Sequence, residues 1–415
     1  MLTLLFLIFL LTDISLRFWL AWRQTRYVHQ HKDQVPQEFA HRISLSSHQR
    51  AARYTIARTR LGACERLAET ILLLLLTLCG GLEVLDWLIG LMVDNEMWRQ
   101  LSLIGAVLAI MGLAGLPFSL YRKFVLEARF GFNRMTLKLY FTDLLKVIII
   151  SMLLGTPICA FILWAMGSLG TSWPIYAWLC WATFNLLMLW LFPSVIAPLF
   201  NKFAPLEDQE LRQRINDLSE RCGFHTSGLY VMDGSRRSAH GNAYFTGFGR
   251  TKRIVFFDTL LAKLRASEIE AVLAHELGHF KHKHILTRLV FSLLFSFVLF
   301  QVLGWAVTQV SFFTQLGVTP RIGSSNDALA LILFFLVVPT FTFWTTPLNS
   351  YLLRRAEYQA DSFAVQHSSG DELCSALVKL YNDNAATLTP DPIHSAYYDS
   401  HPSAIKRLQF IRAIA

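Results

Sequence analysis

Ala274-His275-Glu276-Leu277-Gly278-His279-Phe280 is an H-E-x-x-H stretch. On a helix its two histidines, four residues apart, stand one turn above each other on one face. Both imidazoles can then reach a single Zn²⁺. Glu276 sits beside them, placed to take a proton from a water whose pKa such an ion lowers to about 7. Just upstream, Ser267-Glu268-Ile269-Glu270 reads as a capping box that opens the helix, and Ala271, Val272, Leu273 and Leu277 supply helix formers or apolar filling. The plainer alternative is a buried histidine pair on an amphipathic helix. It leaves a glutamate wedged between them without a partner, which is costly in apolar surroundings.

Two histidines leave the ion short of its usual three protein ligands. His282 lies seven residues past His275, about 10 Å along the helix axis, too far to join both histidines at about 2.0–2.1 Å from one ion. The longer pattern H-E-x-x-H-x-x-G-x-x-H also fails, because His282 stands where glycine should and Ile285 where histidine should. With Lys281 and Lys283, His282 and His284 read as a polar helix face near a membrane. A better third ligand is Glu357, in Arg354-Arg355-Ala356-Glu357-Tyr358-Gln359-Ala360-Asp361. Asp361, one turn on, would accept a hydrogen bond from a ligand histidine and fix its tautomer. The alternative is a solvated charge face paired with the arginines.

The chain around these residues is too apolar for an ordinary soluble enzyme: 53% hydrophobic and 16% charged over 415 residues, with mean hydropathy +0.40. Seven runs approach or exceed the length needed to cross a bilayer, at roughly 2–22, 70–92, 101–121, 144–166, 173–200, 285–310 and 328–351. The first lacks a basic leader and a small-residue cleavage site and carries Asp13 and Arg17, so it reads as an uncleaved helix with a facing i, i+4 pair. Lys and Arg cluster at 23–66, 122–138, 202–283 and 354–355, whereas the loops at 94–99, 167–172 and 311–327 hold very few. That alternation puts the N-terminus outside and the H-E-x-x-H region in the cytoplasm, and it explains the net charge of +9 without a nucleic-acid partner. The six cysteines form no CxxC, so neither a disulfide framework nor a thiolate metal site is indicated.

Residues 1–200 read as an N-terminal membrane region of about five spans with cytoplasmic loops at 23–69 and 122–143. Residues 201–415 hold the metal helix, two further spans and C-terminal cytoplasmic helices. Pro193 and Pro198 should kink or end the fifth span. Beyond a charged helix at 207–220, short strand-like runs at 229–232, 242–246 and 253–257 are separated by Asp233-Gly234, Gly247 and Gly249. The fold class expected is mainly α, a polytopic membrane protein with about seven transmembrane helices and a small α+β zincin-like catalytic region. An edge strand there could hold an extended peptide through its backbone; a merely structural hairpin is the alternative.

The sequence resembles the type I CAAX prenyl endopeptidases, integral-membrane zinc metallopeptidases. The marks occur in that family's order and cover nearly the whole chain: Glu127–Thr136 with Phe130-Gly131-Phe132-Asn133, Ala197–Asn201, Ser238–Tyr244, His275–His279, Arg354–Asp361, and His401-Pro402 with Arg407. The resemblance implies one Zn²⁺ on His275, His279 and Glu357, with Glu276 as general base. It implies that the strand of Asn242, Ala243 and Tyr244 holds substrate backbone. It also implies that His401 and Arg407 assist at the substrate carbonyl or C-terminal carboxylate. The expected partners are the bilayer and a peptide or protein substrate, prenylated or otherwise membrane-associated. The ending Arg412-Ala413-Ile414-Ala415 carries no dilysine retrieval signal, which favours a bacterial plasma membrane over the endoplasmic reticulum. Two rivals stand beside this reading: a quality-control membrane protease of the heat-shock type, and a zinc-dependent scaffold or transporter that does not hydrolyse.

Overall fold

In the computed structural model, the described residues are 1–224, 228–246 and 253–415. Six helices among them are long and apolar enough to cross a membrane: Leu2–Gln30, Glu96–Glu127, Leu137–Ser168, Gly170–Phe200, His284–Ala306 and Asp327–His367. Leu45–Leu76 and Gly81–Gly90, bent by 58° at the break between them, make up to seven if counted as one span. The break falls at Gly80, whose φ of 77° is a left-handed conformation that costs glycine nothing. Pro193 does not end the fifth span. Helix Trp173–Leu191 passes into a π-helical turn, Phe192–Ile196, and a last turn, Ala197–Phe200. The wider turn accommodates the missing proline N–H.

The outer faces of these helices display Leu108, Leu153, Phe291 and Trp305, each more than 60% exposed, a surface suited to lipid chains. Phe6, Leu82, Leu163, Leu303 and Leu333 fill the interior between them. Asp13 is buried there and pairs with Arg17 Nε at 2.5 Å, the i, i+4 arrangement expected from sequence. Near Gly90, Asp86 is held by Arg321 at 2.6 Å and Arg99 at 3.6 Å, which ties the loop before Asp327 to the bundle.

The second core belongs to a four-stranded sheet and the helices on it. Strand β1 (Phe203–Pro205) runs antiparallel to β2 (Gly228–Met232), and β2 parallel to β4 (Arg253–Phe257). Strand β3 (Ala243–Thr246) lies antiparallel to β4 at the sheet's edge. Three of these strands match the runs read from sequence. Strand β1 does not, because three residues ending in proline offer no alternation to read, and proline is tolerated only at such an edge. Gly247 and Gly249 lie outside the described residues. Helix Gln209–Arg221, capped by the Asp208 carboxylate on Leu211 N–H at 3.0 Å, contributes Ile215 and Leu218 to this core.

The Phe130–Asn133 stretch, whose purpose composition does not disclose, props the approach to β3. Gly131 turns the chain at φ 76°. The Phe132 carbonyl then accepts from Ala239 N–H at 3.1 Å, Asn133 bridges to Ser238, and the Phe132 ring stacks on His240 at 4.5 Å.

Candidate metal centre

The H-E-x-x-H residues lie in helix Ala266–Lys281, as expected, but the helix opens two residues earlier than the Ser267 capping box implies. Arg265 is the capping residue, and Glu268 at the third helical position accepts its N–H at 2.8 Å. Glu268 is fully buried and also accepts from Lys379 Nζ at 2.7 Å and Ser375 Oγ at 2.8 Å. Burial alone would raise its pKa; the bonds from Lys379, the Arg265 backbone and Ser375 outweigh that and hold it at about 2. The start of the helix is thereby fixed to helix Gly370–Asp383.

Gly278 sets the distance to the next element. A Cβ there would stand 2.9 Å from Ala360 Cα and 3.0 Å from Phe363 Cβ, so only glycine lets this helix lie so close to helix Thr346–His367. That approach carries Glu357 to the histidines. His275 Nε2 and His279 Nε2 are 3.2 Å apart, and Glu357 Oε1 is 3.2 Å from His279 Nε2. Glu357 Oε2 is 3.6 Å from His275 Nε2. Ligand atoms on a tetrahedral ion at about 2.0–2.1 Å stand about 3.3 Å apart, so the three side chains fit one such ion. Buried Glu357 Oε2 has no well-directed hydrogen bond, although His401 Nδ1 lies 2.7 Å from it. A cation between the three would satisfy it.

Asp361 is wholly buried and its Oδ1 lies 2.8 Å from His275 Nδ1. A proton on that Nδ1 would leave the Nε2 lone pair facing the cluster. Arg407 is placed differently from the contact with a substrate terminus that the resemblance implies. It is buried and donates both arms of its guanidinium to Asp361 at 2.8 Å, with Nη2 3.1 Å from His275 Nδ1. Burial alone would lower its pKa; Asp361 against it more than offsets this and holds it above the usual arginine value. The third nitrogen, Nη1, stands 3.5 Å from Glu357 Oε2, so Arg407 lies against both carboxylates behind the histidines.

Glu276 is half-buried on the same helix, with no salt-bridge partner among the described residues. His401 is well exposed beside Glu357. The turn before it is fastened by Arg354, which donates to the carbonyls of Asp399 at 2.7 Å and Ser395 at 3.2 Å. A cavity of about 930 Å³, bordered by His401, His240 and Arg58, opens from there towards the membrane helices. Asn242, Ala243 and Tyr244 line the edge of the sheet: Ala243 and Tyr244 belong to β3, and Asn242 just before it accepts from Ala243 N–H at 2.9 Å. On its other side β3 pairs with no strand among the described residues. Phe245 of β3 meets Phe280 of the metal helix at 5.6 Å between ring centroids, which lays the sheet beside the cluster.

His282 and His284 do not form one helix face. The helix ends at Lys281, Lys283 turns left-handed at φ 55°, and His284 starts the next helix. His284 Nδ1 thereby comes within 3.0 Å of His279 Nδ1. A left-handed lysine leaves no trace in a sequence pattern, so this neighbour was not foreseeable.

Known proteins bear on the same residues. The model of peptidase family M48 matches residues 205–415, and that of the CAAX prenyl protease N-terminal region, described as five membrane helices, matches 24–202. The chain is 39% identical to CAAX prenyl protease 1 homolog of Arabidopsis thaliana, over 78% of this chain and 76% of that protein. It is 37% identical to CAAX prenyl protease 1 of Saccharomyces cerevisiae, over 75% and 71% respectively. The crystal structure of Ste24p of S. mikatae superposes with a TM-score of 0.91 at 30% identity, covering 99% of this chain and 98% of that one. The candidate His-His-Glu cluster thus lies in a chain similar to these proteins over most of its length, and the chain belongs to the M48 metallopeptidases of the CAAX prenyl protease 1 type, as an integral-membrane metalloendopeptidase.

Proposed function

We propose that this metallopeptidase holds one Zn²⁺ on His275, His279 and Glu357 and cleaves peptide bonds near the C-terminus of CAAX-type, prenylated proteins at the cytoplasmic membrane face. The single observation that carries the reading is the convergence of two imidazole Nε2 atoms and one carboxylate within 3.2–3.6 Å of one another. Zinc bound there supplies a Lewis acid, which acidifies water and polarises a carbonyl. Glu276 takes the proton from the attacking water and delivers it to the leaving amine nitrogen. His401, exposed and braced through Arg354, donates a hydrogen bond to the scissile carbonyl oxygen as negative charge gathers on it. The open edge of β3 offers the backbone groups of Ala243 to an extended substrate, those of Tyr244 facing Val255 of β4, and the cavity beside His401 receives the residues that follow.

The substrate class follows the names of the relatives, CAAX prenyl protease 1 in Arabidopsis thaliana and Saccharomyces cerevisiae. The cytoplasmic placement follows the alternation of basic and nearly uncharged loops. We also divide the chain near residue 200, between membrane and peptidase regions; the two family models meet at 202 and 205, which supports that boundary. The test is Glu276→Gln on the full chain in detergent, with a prenylated C-terminal peptide. Zinc content should stay at one per chain while turnover falls by about 10²–10⁴-fold. Turnover within a few-fold of wild type would remove Glu276 from its role.

A further inference from the structure

Each histidine of the cluster needs a lone pair on Nε2 to hold a metal, and therefore a proton on Nδ1 with an acceptor to receive it. For His275 the acceptor is Asp361. For His279 the atom 3.0 Å from Nδ1 is His284 Nδ1, so that nitrogen must carry a lone pair. The proton of neutral His284 then sits on Nε2, which lies 2.9 Å from Gln359 Oε1 and donates to it. Only one arrangement of protons satisfies both contacts and a metal at once. The reverse order, with the Gln359 amide donating to His284, would put a proton on His279 Nε2 and close that atom to a cation.

Backbone geometry holds this relay in place. Lys283 at φ 55° folds the chain back so that His284 faces the turn holding His279, and the His282 ring stacks on His284 at 5.5 Å with 17° between the planes. Gln359 projects from the same helix as Glu357 and Asp361, two residues from each, so one helix orients both motif histidines while supplying the third ligand. We propose that His284, steadied by Gln359, is a positioning residue: it fixes the tautomer and ring plane of His279 by accepting its Nδ1 proton. This rests on the reading that His279 binds zinc.

The test measures zinc affinity, not cleavage, by competition with a chromophoric chelator on the full chain in detergent. His284→Ala removes the acceptor, and affinity should fall by about 10–100-fold, the usual effect of losing such a partner. His284→Asn sets an amide oxygen near the place of Nδ1, and should restore affinity to within about threefold of wild type; that margin lies well inside the loss expected for alanine. Melting curves of the metal-free variants report folding separately. Equal affinity in the alanine and asparagine variants, at whatever level, would overturn the proposal. Absence of zinc binding by the wild-type chain would instead overturn the reading on which it rests.

Discussion

His275 and His279 are chemically alike and four residues apart, yet their surroundings differ. One ring lies against a desolvated carboxylate that an arginine also grips; the other meets a second imidazole. The i, i+4 spacing of Glu357 and Asp361 made the first partner legible in sequence, since a candidate ligand and a candidate orienting group four apart share a helix face. The second was hidden, because it depends on the conformation of Lys283. Glu268 shows the same limit. Its place in the first turn was readable, but its burial against Lys379 and Ser375, more than a hundred residues on, was not. Its pKa of about 2 lies below the ordinary 4.5, so the native state holds the charge while the unfolded chain takes up protons first. The stability it lends is complete above about pH 4.5 and fades as pH falls towards 2. In thermal unfolding, the margin of wild type over Glu268→Gln should therefore shrink across that interval. A margin independent of pH would contradict the buried pairing.

Two helices meet at Gly278, and the metal cluster exists because they meet so closely. Gly278→Ala places a methyl carbon within 3.0 Å of backbone at Ala360 and of Phe363 Cβ, and neither is the end of a flexible chain. Overpacking of this kind costs about 1–3 kcal/mol. It should also push Glu357 away from the imidazoles, so zinc affinity should fall with stability. A variant that melts and binds zinc as wild type does would show that the approach is not what assembles the site. At this scale the periodic elements were the legible ones: the spans, the helix under the motif and three of four strands follow from runs of apolar residues and their spacing. Strand β1, the π-helical turn after Leu191 and the true cap of the metal helix escaped notice. Each is set by contacts to distant segments or by a local exception to proline rules.

The whole molecule joins a lipid-facing bundle to a small sheet-and-helix region, and its last long helix belongs to both. Asp327–His367 begins in the membrane core with Leu329 and Leu333 and ends, past Arg354, with Glu357 and Asp361 beside the metal helix. In a chain laid out this way the sheet-and-helix region is continuous with the membrane bundle, since Glu357 sits on the continuation of a span. The first helix makes a second junction, through Arg23 on Asp391 at 2.8 Å, just before the segment that carries His401. The proposed ion would join residues 82 positions apart in the chain, His275 and Glu357. The most direct measurement is anomalous scattering at the zinc edge from crystals of the zinc-loaded full chain. The account predicts one peak per chain, about 2.0–2.2 Å from His275 Nε2, His279 Nε2 and a Glu357 carboxylate oxygen. A peak bound elsewhere, or one on the two histidines with Glu357 turned away, would contradict it.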